Sequence, residues 1–309
     1  MRVAIVGGTG FIGSYFVDAL LAAGHTPRLL VRPGSAGKLR EASRCETVDG
    51  EVSDAESLAT LVKVCDVVSF NIGILREDKS RGITFDELQL QAAKRTLDAS
   101  KAAGIRRFLL MSANGVRPDG TPYQQTKFAA EQAAQASGLD VTVFRPSVVF
   151  GDPRGLMEIG TQLHNDVVRL PIPAPGFISG FSTSSSTVTM SPVHVRDVTD
   201  TMLAALGDDD TIGKTLTLGG PEILSWSTMI RRVAGAVGRN KWVLPAPVPL
   251  VRIPVSLLDW IPAFPVTTDQ LDMLVDGNDA SPETVSTLLG REPLAFGAGN
   301  LDYLNSPMS

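Results

Sequence analysis

The sequence predicts an α/β fold: a doubly wound parallel sheet with helices on both faces, followed by a smaller, less regular C-terminal lobe. Three observations carry this. Short β-branched runs alternate with longer helix-patterned runs through the first half of the chain, which is how βαβ units in a parallel sheet read. A glycine-rich turn, GGTGFIGSY, follows the first of those runs directly. After Phe150 the rhythm breaks. The expected domains are therefore 1–150, and 151–309 with a strand returning to the sheet near 190–220.

The strands in order are VAIVG (3–7), PRLLV (27–31), ETVDG (46–50), DVVSFNIG (66–73), RRFLLMS (106–112) and LDVTVFRPS (139–147). Between them lie the helical patterns FIGSYFVDALLAAG, SDAESLATLVK and ITFDELQLQAAKRTLDASKAAG, and a helix opening at TPYQQTK. Right-handed crossovers then dictate the doubly wound topology. The last of these helices has a well-marked start. Thr121 caps it, Pro122 takes the first helical position, and Gln124 completes a Thr-x-x-Gln capping box. Residues four apart share a helix face, so Tyr123 and Lys127 project together. Alone, that pair is ordinary on a solvated helix.

In the second lobe, residues 171–192 form a charge-free Pro/Gly/Ser/Thr-rich stretch that predicts a lid-like loop. KTLTLGG (214–220) reads as one more strand, and SWSTMIRRVAGAVG as a helix capped at Ser225 or Ser227. The region from Trp242 to Phe264 is the most apolar, but Arg252, Asp259 and repeated prolines break it, so it predicts no transmembrane helix. It reads as a cap over a substrate cleft or as a surface that meets a membrane or a protein partner.

Composition excludes several function classes. With 309 residues, 43% hydrophobic and 20% charged, the chain has the make-up of a globular protein with a large core. A net charge of −5 with no Lys/Arg cluster predicts no nucleic-acid partner. Cys45 and Cys65 form no CxxC pair, and the histidines are only His25, His164 and His194. Neither a metal site nor a disulfide framework is expected. The N-terminal apolar run stops at the glycine turn, so no signal peptide is predicted and the expected location is cytoplasmic, with a membrane-peripheral one as the alternative.

The glycine turn points to a dinucleotide. Gly7, Gly10 and Gly13, with Thr9, Phe11 and Ile12 between them, keep the GxxGxxG spacing. The first glycine makes the tight turn, the second lets backbone approach a pyrophosphate, and the third permits close helix–strand packing. The helix N-terminus behind them offers free N–H groups to phosphate. An NAD site carries a carboxylate at the end of the second strand, but PRLLV ends in Arg32, with Ser35 and Lys38 close behind. A guanidinium suits a 2′-phosphate, which makes NADP(H) the expected cofactor and NAD(H) the less favoured one. A solvated loop arginine is the plain alternative.

GGTGFIG, CDVVSFNIG, YQQTK and FRPSVVFGDP together resemble the extended and atypical members of the short-chain dehydrogenase/reductase superfamily. SPVHVRDV (191–198), TLTLGGPEILSW (215–226) and FPVTTDQLDMLVDGN (264–278) are similar to the branch containing the NADPH-binding accessory subunit of respiratory complex I and its bacterial relatives. The resemblance implies a catalytic set of Ser112, Tyr123 and Lys127. Tyr123 would be the acid/base, Lys127 would bind the nicotinamide ribose and favour the phenolate, and Ser112 would hold the substrate carbonyl. It further implies cofactor contacts from Asn71 and Gly73, from Glu51 and Val52 near the adenine, and from Pro146 and Ser147 near the nicotinamide. Glu51 stands where family members often have Asp.

Outside this set, His194, Asp197, Asp152 and His164 read as structural or exposed residues. Three functions fit the sequence. One is an NADP(H)-dependent oxidoreductase or isomerase acting on a small-molecule carbonyl or alcohol. Another is a non-catalytic NADPH-holding structural or assembly protein of a respiratory complex. The last is a sensor of the NADPH/NADP⁺ ratio.

Overall fold

The computed structural model describes residues 1–35, 37, 39–178, 187–252 and 268–305. Its first half runs β1 (Arg2–Val6), α1 (Phe11–Ala22), β2 (Thr26–Val31), β3 (Glu46–Asp49), α2 (Ala55–Val62), β4 (Val67–Phe70), α3 (Ala92–Ala102), β5 (Arg107–Met111), α4 (Pro122–Gln135) and β6 (Asp140–Pro146). The strands assemble in the order β3-β2-β1-β4-β5-β6, and Thr215–Leu218 adds a seventh beyond β6. Every pair among the first six is parallel. The seventh is parallel too, because Val143 N donates to Lys214 O and Ser147 N to Leu218 O, advancing together along both strands.

The reason is visible in burial. Val3, Ala4, Ile5 and Val6 of β1 are all fully buried, as is every residue of β4. Strands covered on both faces need continuous apolar runs rather than alternation. The strand order reverses between β1 and β4, and such a switch point opens a crevice at the carboxyl ends of the strands. One helix departs from expectation. The pattern over 83–104 predicts a single helix, whereas a π-helical turn over Asp86–Gln91 precedes α3.

The chain divides into two compact units, Met1–Arg145 with Arg196–Thr217, and Pro146–Val195 with Leu218–Ser309. In the first unit, Arg107 secures the returning segment by donating to Ala205 O at 2.6 Å and Thr211 Oγ1 at 2.9 Å. The second unit packs Phe150, Trp226, Met229, Ile230 and Phe296 into its own core. Ser225 caps the helix Trp226–Ala236 by accepting from Thr228 N at 3.2 Å.

The expected loop over 171–192 is corrected at both flanks, while residues 179–186 lie outside the described residues. Ala174–Ile178 is a strand parallel to Val243–Pro247, and Thr189–Met190 pairs antiparallel with Leu224–Ser225. Proline is tolerated in so short an edge ladder because alternate N–H groups face away from the partner. Among the described residues no helix is long and apolar enough to cross a membrane.

Candidate functional site

The glycine turn between β1 and α1 is held by backbone. Gly10 N donates to Gly7 O at 3.1 Å, and Gly7 has φ +89°, a left-handed conformation that favours glycine. A Cβ at Gly13 would stand 2.2 Å from Gly7 O, so the third glycine is needed for the fold itself. A Cβ at Gly10 would meet only Gly7 O, at 3.2 Å, and otherwise project into open space. Gly10 is also the N-cap of α1 and supplies no side-chain cap, so the first-turn N–H groups of α1 face that same space. This cradle, which a side chain at position 10 would fill, fits a pyrophosphate. Thr9, Phe11 and Ile12 are half-buried around it. Gly8 also matters and was not singled out in the sequence: a Cβ there would lie 2.5 Å from Leu29 Cδ2. The GG doublet was its signal.

The turn is continuous with the ends of β4 and β5. Asn71 N donates to Val6 O at 2.8 Å, and a Cβ at Gly7 would lie 3.0 Å from Asn71 C. The next residue, Ile72, gives its carbonyl to Lys127 Nζ at 2.8 Å, and Met111 O accepts from the same ammonium at 2.9 Å. Gly73 is beside it, since a Cβ there would be 3.6 Å from Nζ. Lys127 is thus 3% exposed and spends two of its three donors on strand ends. Burial pushes it down to about 8, with the Glu131 carboxylate pulling the other way. Glu131 is buried and held by Arg145 through contacts of 2.8 and 2.5 Å.

Ser112 directly follows Met111, and its N–H donates to Phe144 O at 2.8 Å. Its Oγ is buried and has no hydrogen-bond partner among the described residues. Such an orphan costs about 1–3 kcal/mol, so a polar atom supplied from outside the chain would relieve it. Tyr123 sits one turn before Lys127, its ring edge-on to Phe85 with centroids 5.8 Å apart. Burial pushes the phenol up to about 12. Desolvation is the cause, and the ammonium's hydrogen bonds go to the carbonyls of Ile72 and Met111. The predicted capping box is present. Gln124 N donates to Thr121 Oγ1 at 3.4 Å and Thr121 N to Gln124 Oε1 at 2.8 Å. Gln124 Nε2 also donates to Gly115 O at 3.0 Å, anchoring the link between Ser112 and Tyr123.

Arg32 is exposed just past β2, and Lys38 falls outside the described residues. Glu51 is exposed, whereas Val52 is buried and its carbonyl accepts from Arg95 Nε at 3.0 Å. Pro146 and Ser147 begin the second unit, where Ser147 Oγ donates to Asn278 O at 2.6 Å. The sequence reading missed Phe85 and Gln89. Gln89 is buried, donates to Ile74 O at 2.9 Å and accepts from Thr126 Oγ1 at 3.0 Å, tying the π turn to α4. A glutamine on the inward face of an amphipathic pattern was the available sign.

Residues 7–172 match the family described as NAD(P)H-binding. A ceramide reductase of Caulobacter vibrioides is 26% identical over 264 residues, covering 83% of this chain and 77% of that protein. The mitochondrial NADH dehydrogenase (ubiquinone) 1 alpha subcomplex subunit 9 of Arabidopsis thaliana is 24% identical over 309 residues, covering 94% of this chain and 72% of that protein. In fold, the chain resembles UDP-glucuronic acid 4-epimerase from Bacillus cereus, solved with UDP-glucuronic acid and NAD. The TM-score is 0.72 at 18% identity, covering 98% of this chain and 99% of that one.

Proposed function

The chain belongs to the NAD(P)H-binding family, within the extended short-chain dehydrogenase/reductase superfamily, and on that premise we propose that it is an NADP(H)-dependent reductase of an apolar carbonyl compound. The observation that carries this reading is the buried, unpartnered hydroxyl of Ser112, one residue beyond the carbonyl that holds Lys127. The bound dinucleotide supplies the hydride. The glycine turn and the first N–H groups of α1 hold its pyrophosphate, and Arg32 takes the 2′-phosphate. Asn71 would line the ribose side of the dinucleotide next to the glycine turn, and Gly73 and the third N–H of Lys127, which adjoin each other, would meet the nicotinamide ribose.

Ser112 Oγ donates to the substrate carbonyl oxygen and fixes its position. Tyr123 gives its proton to that oxygen as negative charge develops. A phenol held near 12 is fully protonated at neutral pH, so the proton donor is in place for reduction. The oxidative direction would first have to remove that proton, which burial disfavours. The likeness to a ceramide reductase supports ceramide-related lipids as members of the substrate panel.

The test is NADPH consumption with a carbonyl panel, followed at the nicotinamide absorbance. Tyr123→Phe should lower kcat by roughly 10²–10⁴-fold while leaving NADPH affinity unchanged. Equal turnover by wild type and Tyr123→Phe would rule the mechanism out. A second reading, an NADPH-holding structural subunit, draws support from the likeness to subunit 9 over 94% of the chain. It predicts tight NADPH binding with no turnover, and a holoprotein destabilised by Lys127→Ala but not by Tyr123→Phe.

A further inference from the structure

Large apolar side chains are exposed together at one edge of the second unit. Trp242 is 77% exposed, Ile172 61%, Leu244 53% and Leu170 46%. They are neighbours through backbone. Ala174 N donates to Trp242 O at 2.7 Å, Leu244 pairs in register with Pro175, and Lys241 Nζ donates to Leu170 O at 2.6 Å. Trp242 and Leu244 are two residues apart, hence on the same strand face. Pro175, the register partner of Leu244, is exposed as well, while Ala174 and Gly176 turn inward. Exposed apolar side chains gathered in this way mark an interaction surface.

The charge around them is one-sided. Residues 164–178 and 236–252 carry Arg169, Arg239, Lys241 and Arg252 against Asp166 alone, in a chain whose net charge is −5. Arg252 is paired with Asp272 at 2.7 Å, which leaves three cations beside the apolar edge. Burial and then the charges of Arg169 and Arg239 hold the His164 imidazole below its ordinary value. Burial and then Arg239 likewise lower Lys241. A tryptophan and aliphatic residues collared by Lys and Arg are the composition of a surface seated at lipid headgroups. Protein interfaces also enrich Trp and Arg but deplete lysine, so Lys241 and the one-sided charge are what favour a lipid surface.

We propose that the edge formed by Ala174–Ile178 and Val243–Pro247 docks on bilayers containing anionic phospholipid. Trp242, Leu244, Ile172 and Leu170 enter the headgroup–acyl boundary, and Arg169, Arg239 and Lys241 meet the lipid phosphates. The proposal is independent of turnover at Tyr123.

The experiment is flotation of the full chain with phosphatidylcholine vesicles, with and without phosphatidylglycerol. Binding is expected only with phosphatidylglycerol and should fall as salt rises, since screening at 0.1 M acts over about 10 Å. Trp242→Ser should weaken it roughly tenfold, and Arg169→Gln or Lys241→Gln roughly fivefold each. NADPH affinity and the thermal midpoint should be unchanged in all three, and Ile172→Ser gives an independent check on the apolar contribution. Lack of vesicle binding at low salt would overturn the proposal. So would equal binding to neutral vesicles, or undiminished binding by the variants. Self-association abolished by Trp242→Ser without vesicle binding would show instead that a second copy covers this edge.

Discussion

Substituting the second and third glycines of the β1–α1 turn should separate binding from folding. In Gly13→Ala the new methyl would stand 2.2 Å from Gly7 O, 2.9 Å from Gly8 Cα and 3.0 Å from Gly7 C. All three are backbone atoms of the tight turn, and relaxed contact lies near ~3.5 Å, so the turn itself must open. Overpacking of this kind costs about 1–3 kcal/mol, and removing a helical glycine returns about 0.5–1 kcal/mol. A net loss near ~1 kcal/mol corresponds to a thermal midpoint lower by about 2–4 °C for a unit of this size, and NADPH binding should fail with it. Gly10→Val is different. Position 10 has φ −80° and ψ 174°, which any residue adopts, and its Cβ would touch only Gly7 O. The apoprotein should melt within about 1 kcal/mol of wild type while NADPH binding is abolished. Thermal unfolding of the apoproteins and calorimetric titration with NADPH read both quantities. A Gly13→Ala protein with wild-type midpoint and affinity, or a folded Gly10→Val protein that binds NADPH normally, would refute the reasoning.

The other expectations use different groups. Arg32→Asp should weaken NADPH by roughly ten- to a hundredfold and spare NADH, as loss of one charge-assisted phosphate contact requires; a wild type that binds both equally in calorimetry contradicts this. Lys127 titrates near 8 when folded against an ordinary 10.5, so the unfolded chain binds more protons between those values and stability must rise with pH across that window. The difference between wild-type and Lys127→Met unfolding free energies should therefore climb by about 3 kcal/mol from pH 8 to 10.5, and a flat difference would show that the amine is not desolvated. Arg145→Met should cost about 3–5 kcal/mol, because Glu131, with a side chain only 1% exposed, would keep a buried charge without its partner. Adding Glu131→Gln should recover much of that loss in chemical denaturation.

The parallel sheet was legible because buried strands carry uninterrupted apolar runs, and the turn at Gly7–Gly13 because its glycines have steric reasons. The start of α4 was legible to the residue, since Thr121, Pro122 and Gln124 each do a local job at a helix end. The strand Ala174–Ile178 was not, because it is defined by pairing with a segment near residue 245, and its prolines resemble loop chemistry. Nor was the π turn before α3, whose apolar spacing is that of an α-helix over one turn. At the site, sequence placed Tyr123 and Lys127 on one face but not their environment. The direction of the Tyr123 shift depends on burial under Phe85 and neighbouring chain, and the ammonium's partners are backbone carbonyls. Backbone acceptors leave no trace in residue identity.

The two carbonyls on Lys127 carry one more implication. A single side chain from α4 staples carbonyls at the ends of two adjacent strands, β4 and β5. On the proposed reading two trades are fused in one residue, because whatever removes the amine also releases those strand ends. The phenol one turn earlier has no such second employment. In a descendant that had given up chemistry but still held a dinucleotide, drift would erase position 123 and spare position 127. On the proposed mechanism, then, the retained lysine would report an intact frame, and only the tyrosine a working catalyst.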